Sequence, residues 1–265
     1  MTPRLHRQSG MTLVEILVAL AVTSFLMIGL FTIVQTTLRS SNAQSALSQL
    51  QDNERLAMQR IADVVQSAGY FSAPQLNTAN GVLVADSTMG FASGQGVYGT
   101  HVAGAPQDSI TVRYYVDSSY RENLINCDGS TVSATGLYYN TFTVVAGSGT
   151  TPGTLQCALT TLIGGTLVTH PAVTLVSGVQ DMVIGYGTSS SATCAASYSS
   201  SSNPVDTYYS AATMPASGWC GVISVQVALV FANPLYNAAG PPSQQYPNQL
   251  PFIQLTRLVN VMSHI

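Results

Sequence analysis

From Ile16 to Val34 the chain runs nineteen residues without a charge, and Glu15 stands immediately before them. As a helix that run measures about 28 Å, the thickness of a bilayer's hydrocarbon core. A charged acid at mid-membrane is disfavoured by roughly 2.5 to 3.5 kcal/mol, so an acid kept in such a segment is a functional candidate in need of a partner. Arg4 and Arg7 precede it with no acid before Glu15, which places the N-terminus in the cytoplasm and everything after Val34 outside.

The stretch Ser9-Gly10-Met11-Thr12-Leu13-Val14-Glu15-Ile16-Leu17-Val18-Ala19-Leu20 joins the basic leader to the apolar run. It resembles the class III signal of type IV prepilins. The resemblance implies cleavage after Gly10 by a prepilin peptidase and methylation of the new amino group on Met11. It also implies that Glu15, fifth in the mature chain, meets the N-terminal amine of a neighbouring subunit as helices pack into a filament. Electrostatics agrees, because a carboxylate and an ammonium neutralise each other in low dielectric, and assembly thereby removes the penalty Glu15 carries alone. Two positions depart from the family's habit. Met11 stands where Phe is usual, and Thr32 stands where many major pilins carry a helix-kinking Pro, leaving Gly29 as the expected flexible point. Ala19-Leu20-Ala21 has the form of an ordinary signal-peptidase site, but it lies inside the apolar run, and Glu15 interrupts the hydrophobic region before it. A plain anchor requires no Gly-x-x-x-x-Glu.

Charged residues make up 7% of the chain and all eight basic residues are Arg. Without Arg4 and Arg7, six Arg face eleven acids, a net side-chain charge of about −5, which offers no electrostatic footprint for a nucleic acid. Cys127, Cys157, Cys194 and Cys220 fall in the part expected to face an oxidising compartment, where disulfides persist. None forms a C-x-x-C pair, which speaks against zinc and thioredoxin-like chemistry. Of the three possible connectivities, the sequential one, Cys127 with Cys157 and Cys194 with Cys220, is favoured because its second bridge closes the Ser-rich stretch Ser189 to Ser202.

Past the membrane segment, Ala43, Leu47, Leu50, Ala57, Ile61, Val64, Val65 and Ala68 recur at three- and four-residue spacing, with polar residues on other faces. The pattern predicts one helix from Leu13 to Ala68, roughly 84 Å if unbroken, ended by Gly69 and then Pro74. Alternation follows: Ile110 to Val116 and Ile223 to Phe231 read as strands. Gly81 to Ala85, Leu137 to Val145, Leu155 to Leu159, Val173 to Val176, Val179 to Tyr186 and Phe252 to Val261 are further strand candidates between Gly, Pro, Asn and Ser clusters. Ser189 to Asn203 and Asn237 to Gln249 are expected loops. The fold class is α+β, a long N-terminal helix packed on an antiparallel sheet head. The organisation is a leader over 1–10, a membrane or filament-core helix over 11–34, its amphipathic continuation over 35–69 and a β-rich head over 70–265.

Asp108 to Tyr114, Leu175 to Gly187 and Val222 to Leu229, with the helical stretch from Leu50 through Tyr70, are similar to segments of PilW-type minor pilins. That resemblance implies the type IV pilin fold and a minor subunit that primes pilus assembly and sits at the tip. The implied partners are other minor pilins, the major pilin, the inner-membrane assembly machinery and a large tip adhesin. A type II secretion pseudopilin shares the leader, helix and sheet and is the alternative; a membrane-anchored adhesive module is a third.

An enzymatic reading finds little support. Gly94-Gln95-Gly96-Val97-Tyr98-Gly99 fits G-x-G-x-x-G, but it does not run from a buried strand into a helix and reads as a loop. With no Lys in the chain, a Walker loop and a Schiff-base lysine are excluded. His101, His170 and His264 stand alone, without H-E-x-x-H, and no G-x-S-x-G is present. Asn126, Asp128 and Asp181 lack EF-hand spacing and read as turn or surface residues. No cofactor, metal or catalytic residue is assigned. Trp219, beside Cys220, reads as a core or disulfide-packing residue.

Overall fold

The computed structural model describes residues 12–102, 108–120, 122–148, 151–189, 204–236 and 250–261. The chain divides into two units, Met1–Ser48 and Gln49–Ile265, joined through a single helix, α1 (Leu13–Gln66). From Ile16 to Val34 the helix presents apolar side chains all round, with Phe25 79% and Phe31 66% exposed. A helix with no polar face requires an apolar surrounding, and α1 is long and apolar enough to cross a membrane by length and composition. Gly29, expected as a flexible point, lies within the uninterrupted helix. One glycine costs a helix interior only about 1 kcal/mol, which its Leu- and Ile-rich neighbours tolerate.

The second unit begins with the amphipathic end of α1. Leu50, Ala57, Met58, Ile61, Ala62, Val64 and Val65 are buried; the spacing predicts all of these but Met58 and Ala62, and its first positions, Ala43 and Leu47, are only half-buried. Gly69 closes the helix end in the left-handed region at φ 75, as a glycine after a last helical turn does without a Cβ penalty.

Ten strands follow: β1 (Val97–His101), β2 (Asp108–Val116), β3 (Gly136–Val145), β4 (Thr154–Ile163), β5 (Thr166–Thr169), β6 (Val173–Ser177), β7 (Val179–Thr188), β8 (Thr207–Ser210), β9 (Val222–Ala232) and β10 (Phe252–Asn260). The strand pairs are antiparallel, as the alternation predicts, but they form two sheets. One has the order β1-β2-β3-β4-β5 with β6 also on β4, and the other β10-β9-β7-β8. Gly178, at φ 90, is the single residue between β6 and β7 and turns the chain from one sheet into the other. Its N–H reaches Gly153 at 2.8 Å and its carbonyl accepts from Ala232 at 2.9 Å.

The buried stripe of α1 packs with Ile110, Val112 and Phe142 of the first sheet and with Met182, Ile184, Val227 and Phe231 of the second. Each fully buried side chain of this kind is worth about 1.5–3 kcal/mol of transfer free energy. The opposite face of the first sheet carries a second core, Leu83, Phe91, Leu137 and Tyr139, so β2 and β3 are covered on both sides.

Three local expectations are corrected. Gly81 to Ala85 is not a strand: α2 (Ala79–Val82) occupies it, because the amides of Gly81 and Val82 turn back onto Thr78 and that of Leu83 onto Ala79. Four consecutive apolar residues are too few to separate a strand from a helical turn. Gly94 to Gly99 is only half loop, since β1 starts at Val97. Its glycines answer to close packing: a Cβ on Gly99 would stand 1.9 Å from the Tyr186 hydroxyl oxygen. The four-residue strands β5 and β8 are additions that lie mostly exposed on sheet edges and carry no apolar alternation. Most of Ser189 to Asn203 and all of 237–249 lie outside the described residues.

Candidate functional site

Glu15 lies in the first turn of α1, where its N–H donates to the Thr12 carbonyl at 3.0 Å. The hydroxyls of the apolar helix are already satisfied: Ser24 donates to Ala21 at 2.8 Å, Thr32 to Ile28 at 2.9 Å, Thr36 to Thr32 at 2.8 Å and Thr37 to Ile33 at 2.9 Å. Thr23 bonds back to Ala19 in the same way. Such back-bonding lets hydroxyls sit in an apolar surrounding without desolvation cost. Glu15 has no equivalent, because an ionised carboxylate cannot donate to a helix carbonyl. It is the one acid of the segment from Leu13 to Gln51. Gly10 and Met11 lie outside the described residues.

Cys127 and Cys157 form a disulfide with Cα atoms 5.9 Å apart. Both are fully buried in the main core. Cys157 stands opposite Phe142 in the β3–β4 ladder, and the Cys127 amide donates to Asn140 Oδ1 at 2.8 Å, so the bridge fastens the segment after β2 onto two strands at once. Cys220 is also disulfide-bonded, in a short turn, Gly218–Gly221. Its expected partner Cys194 lies outside the described residues. Trp219 next to it packs on Tyr186 at 4.9 Å and Tyr98 at 5.1 Å between ring centroids, in the core as expected.

The remaining polar candidates hold the fold together. Asn126 accepts the Tyr114 hydroxyl at 2.5 Å, Asp128 accepts the Ser130 amide at 2.9 Å, and Asp181 accepts the Met182 amide at 2.7 Å. His101 is not alone: its Nδ1 lies 2.7 Å from Asp108, whose other oxygen accepts the Ile184 amide of the second sheet at 2.8 Å. Among the described residues no group of three His, Cys, Asp or Glu could hold a metal ion.

Alternation hides Arg113, which shares a face with Thr111 and Tyr115 and reads as a surface residue. Its side chain is fully buried. Nε donates to Gln95 at 2.6 Å, Nη1 to Val84 at 2.6 Å, and Nη2 to Ala92 at 2.6 Å and Leu83 at 3.1 Å, all backbone carbonyls. The guanidinium lies 4.5 Å from the Phe91 ring centre. Burial lowers its pKa, and the neighbouring Tyr139 and Asp86 oppose that shift. One cation thus organises the segment 83–96 over the sheet. Glu122 does the same on a smaller scale, accepting the Tyr70 hydroxyl and, at 2.7 Å, the Ser72 hydroxyl.

A helix apolar on every side with one acid in its first turn, followed by an antiparallel head, defines the pilin class. The family model for the prokaryotic N-terminal methylation motif matches residues 5–31, and that for type IV pilus-assembly protein W matches residues 141–261. These two matches support a PilW-type pilin with a prepilin signal. Both matched families are structural pilus components, and the motif with the apolar helix marks a membrane-anchored, pilus-associated protein. No curated protein and no solved structure matches the chain.

Proposed function

We propose that this pilin is a minor subunit that primes assembly of the type IV pilus and sits at its tip. The observation that carries the reading is Glu15, an acid in the first turn of α1, ahead of an uncharged run and within the residues matched by the methylation motif. A prepilin peptidase cuts between Gly10 and Met11, the new amino group is methylated, and Glu15 pairs with an N-terminal ammonium of a neighbouring subunit. The charge is kept because insertion alone is easier with an apolar residue at that position. Before assembly the N-terminus is cytoplasmic and the head periplasmic, where Cys194 bridges to Cys220. The partners are other minor pilins, the major pilin, the assembly machinery of the inner membrane and a large tip adhesin. The protein is not an enzyme, takes no cofactor and does not bind nucleic acid.

Mass spectrometry of the membrane-extracted protein tests the processing: the mature chain starts at N-methyl-Met11, and a start at Val22 overturns the reading. Glu15→Val tests the role. The variant is processed and stays in the membrane but fails to join a minor-pilin complex, since breaking a buried pair costs about 3–5 kcal/mol. Wild-type piliation with an intact complex removes the assembly role from Glu15.

A further inference from the structure

β10 is the outer strand of the four-stranded sheet, and its register on β9 identifies the free backbone groups. Val261 donates to Ile223 at 2.9 Å and Asn233 donates to Pro251 at 2.9 Å, and both pairs continue the ladder that sets Phe252 opposite Ala232. In an antiparallel ladder hydrogen-bonded pairs alternate, so the odd-numbered residues of β10 turn their amides and carbonyls to β9. Phe252, Gln254, Thr256, Leu258 and Asn260 turn theirs to the open edge. Among the described residues these five amides meet no backbone acceptor. The edge runs nine residues with no Pro and no register shift, and Phe252 and Leu258 are exposed on it. An open edge of this length is a template for another strand.

Beside it, β10 and the α1 stripe enclose a groove of about 530 Å³. Met58 and Leu255 give it an apolar lining, and Arg55, Arg257, Gln59 and Asp63 supply its polar groups. Among the described residues neither arginine has a carboxylate partner. Arg55 and Asp63 lie about 12 Å apart along the helix axis, so Arg55 stands away from the one acid of the groove.

We propose that β10 accepts an extended segment of another protein as an added strand, with acidic side chains of that segment directed to Arg55 and Arg257. Backbone pairing supplies the affinity, and alternate side chains, all on one face, enter the groove. The arginine fork favours carboxylates there. A second copy of β10 is a poor occupant: the strand Phe-Ile-Gln-Leu-Thr-Arg-Leu-Val-Asn carries a cation and no acid, and self-pairing brings like charges together.

The test uses the full chain in detergent and a fluorescent heptapeptide, Thr-Val-Glu-Val-Glu-Val-Thr, with a Lys-for-Glu version as control. The Glu peptide binds, the Lys peptide does not, and hydrogen exchange slows at the amides of Thr256 and Leu258. Joint replacement Arg55→Gln and Arg257→Gln, both at exposed positions, weakens binding at least about tenfold, as loss of charge-assisted hydrogen bonds does. Thr256→Pro removes an outward amide without touching the β9 ladder, a change edge strands tolerate, and it abolishes the exchange protection. Equal binding of both peptides, unchanged affinity in the arginine variant, or absence of exchange protection overturns the proposal. If Thr256→Pro fails to fold, the arginine variant and the exchange measurement on the unaltered protein decide it.

Discussion

Gly69 and Gly96 share the backbone of one residue, Arg113: the Gly69 amide donates to the Arg113 carbonyl at 2.9 Å, and the Gly96 carbonyl accepts the Arg113 amide at 2.9 Å. The end of α1 and the start of β1 therefore meet side by side on β2. A Cβ on Gly96 would lie 2.5 Å from the Gly69 nitrogen, so backbone must shift to admit it. Gly69 itself has room, its nearest neighbour being 3.7 Å away, but holds φ +75. Gly96→Ala is expected to cost about 3 kcal/mol or more, at or beyond the upper end for overpacking. Gly69→Ala should cost about 1–2 kcal/mol, the penalty of a left-handed alanine. Urea denaturation of the two variants gives the order, and equal costs would contradict the steric account.

Arg113→Met keeps the volume and removes the four hydrogen bonds to carbonyls of 83, 84, 92 and 95. Leu83 and Ala92 keep amide donors in Gly94 and Gln95, but a hydrogen bond from a charged group contributes about 1.5–3 kcal/mol, so loss of the four is expected to cost at least about 3 kcal/mol. Arg113→Lys should recover little, because a point charge cannot address carbonyls spread over a planar fork. Limited proteolysis reports where the damage falls: new cuts between Leu83 and Gln95 are expected before global unfolding.

The Cys127–Cys157 bridge closes a loop with a sequence separation of 30. Replacing both residues by Ala should lower stability by roughly 3 to 4 kcal/mol, mostly through the freed unfolded chain. Alkylation of the denatured wild-type protein without reductant should label neither residue. Modification of Cys127 or Cys157 under those conditions would show that the bridge is not formed in the exported protein.

Alkaline pH should unfold the head. Burial, reinforced by the hydrogen bond to Asp86, pushes the Tyr139 hydroxyl up to about 12. Burial also raises Tyr70, Tyr114, Tyr115 and Tyr186. The folded state thus holds these protons more tightly than the unfolded chain, whose tyrosines ionise near 10. Their contribution is complete below about pH 10 and is lost as pH rises through about 12. Phenolate absorbance should show a late group of tyrosines that ionises together with loss of near-ultraviolet dichroism. A single reversible wave near pH 10 with the fold intact would refute it.

The sequence by itself determined the elements whose signal repeats along the chain. The α1 stripe is legible because a helix returns a side chain to one face every three or four residues. β2 and β9 are legible because side chains alternate over Ile110 to Val116 and Ile223 to Phe231, and β7 because its apolar run is bounded by turn-forming residues. Glu15 is legible because a carboxylate inside an apolar run stands against a uniform background. Tertiary structure alone decided the rest. Alternation places Arg113 on the far face of β2, but only the segment 83–96 folding over that face makes it buried, and nothing local in β2 encodes the cover. Gly96 reads as part of a loop until the helix end arrives 27 residues earlier in the chain to occupy the space a Cβ would need. The division into two sheets turns on Gly178, whose left-handed φ is one of several a glycine adopts freely and becomes fixed only when Gly153 and Ala232 hydrogen-bond around it. Periodicity reports which face of an element is apolar; what comes to lie against that face depends on contacts between residues far apart in sequence, where a single chain carries no repeating signal.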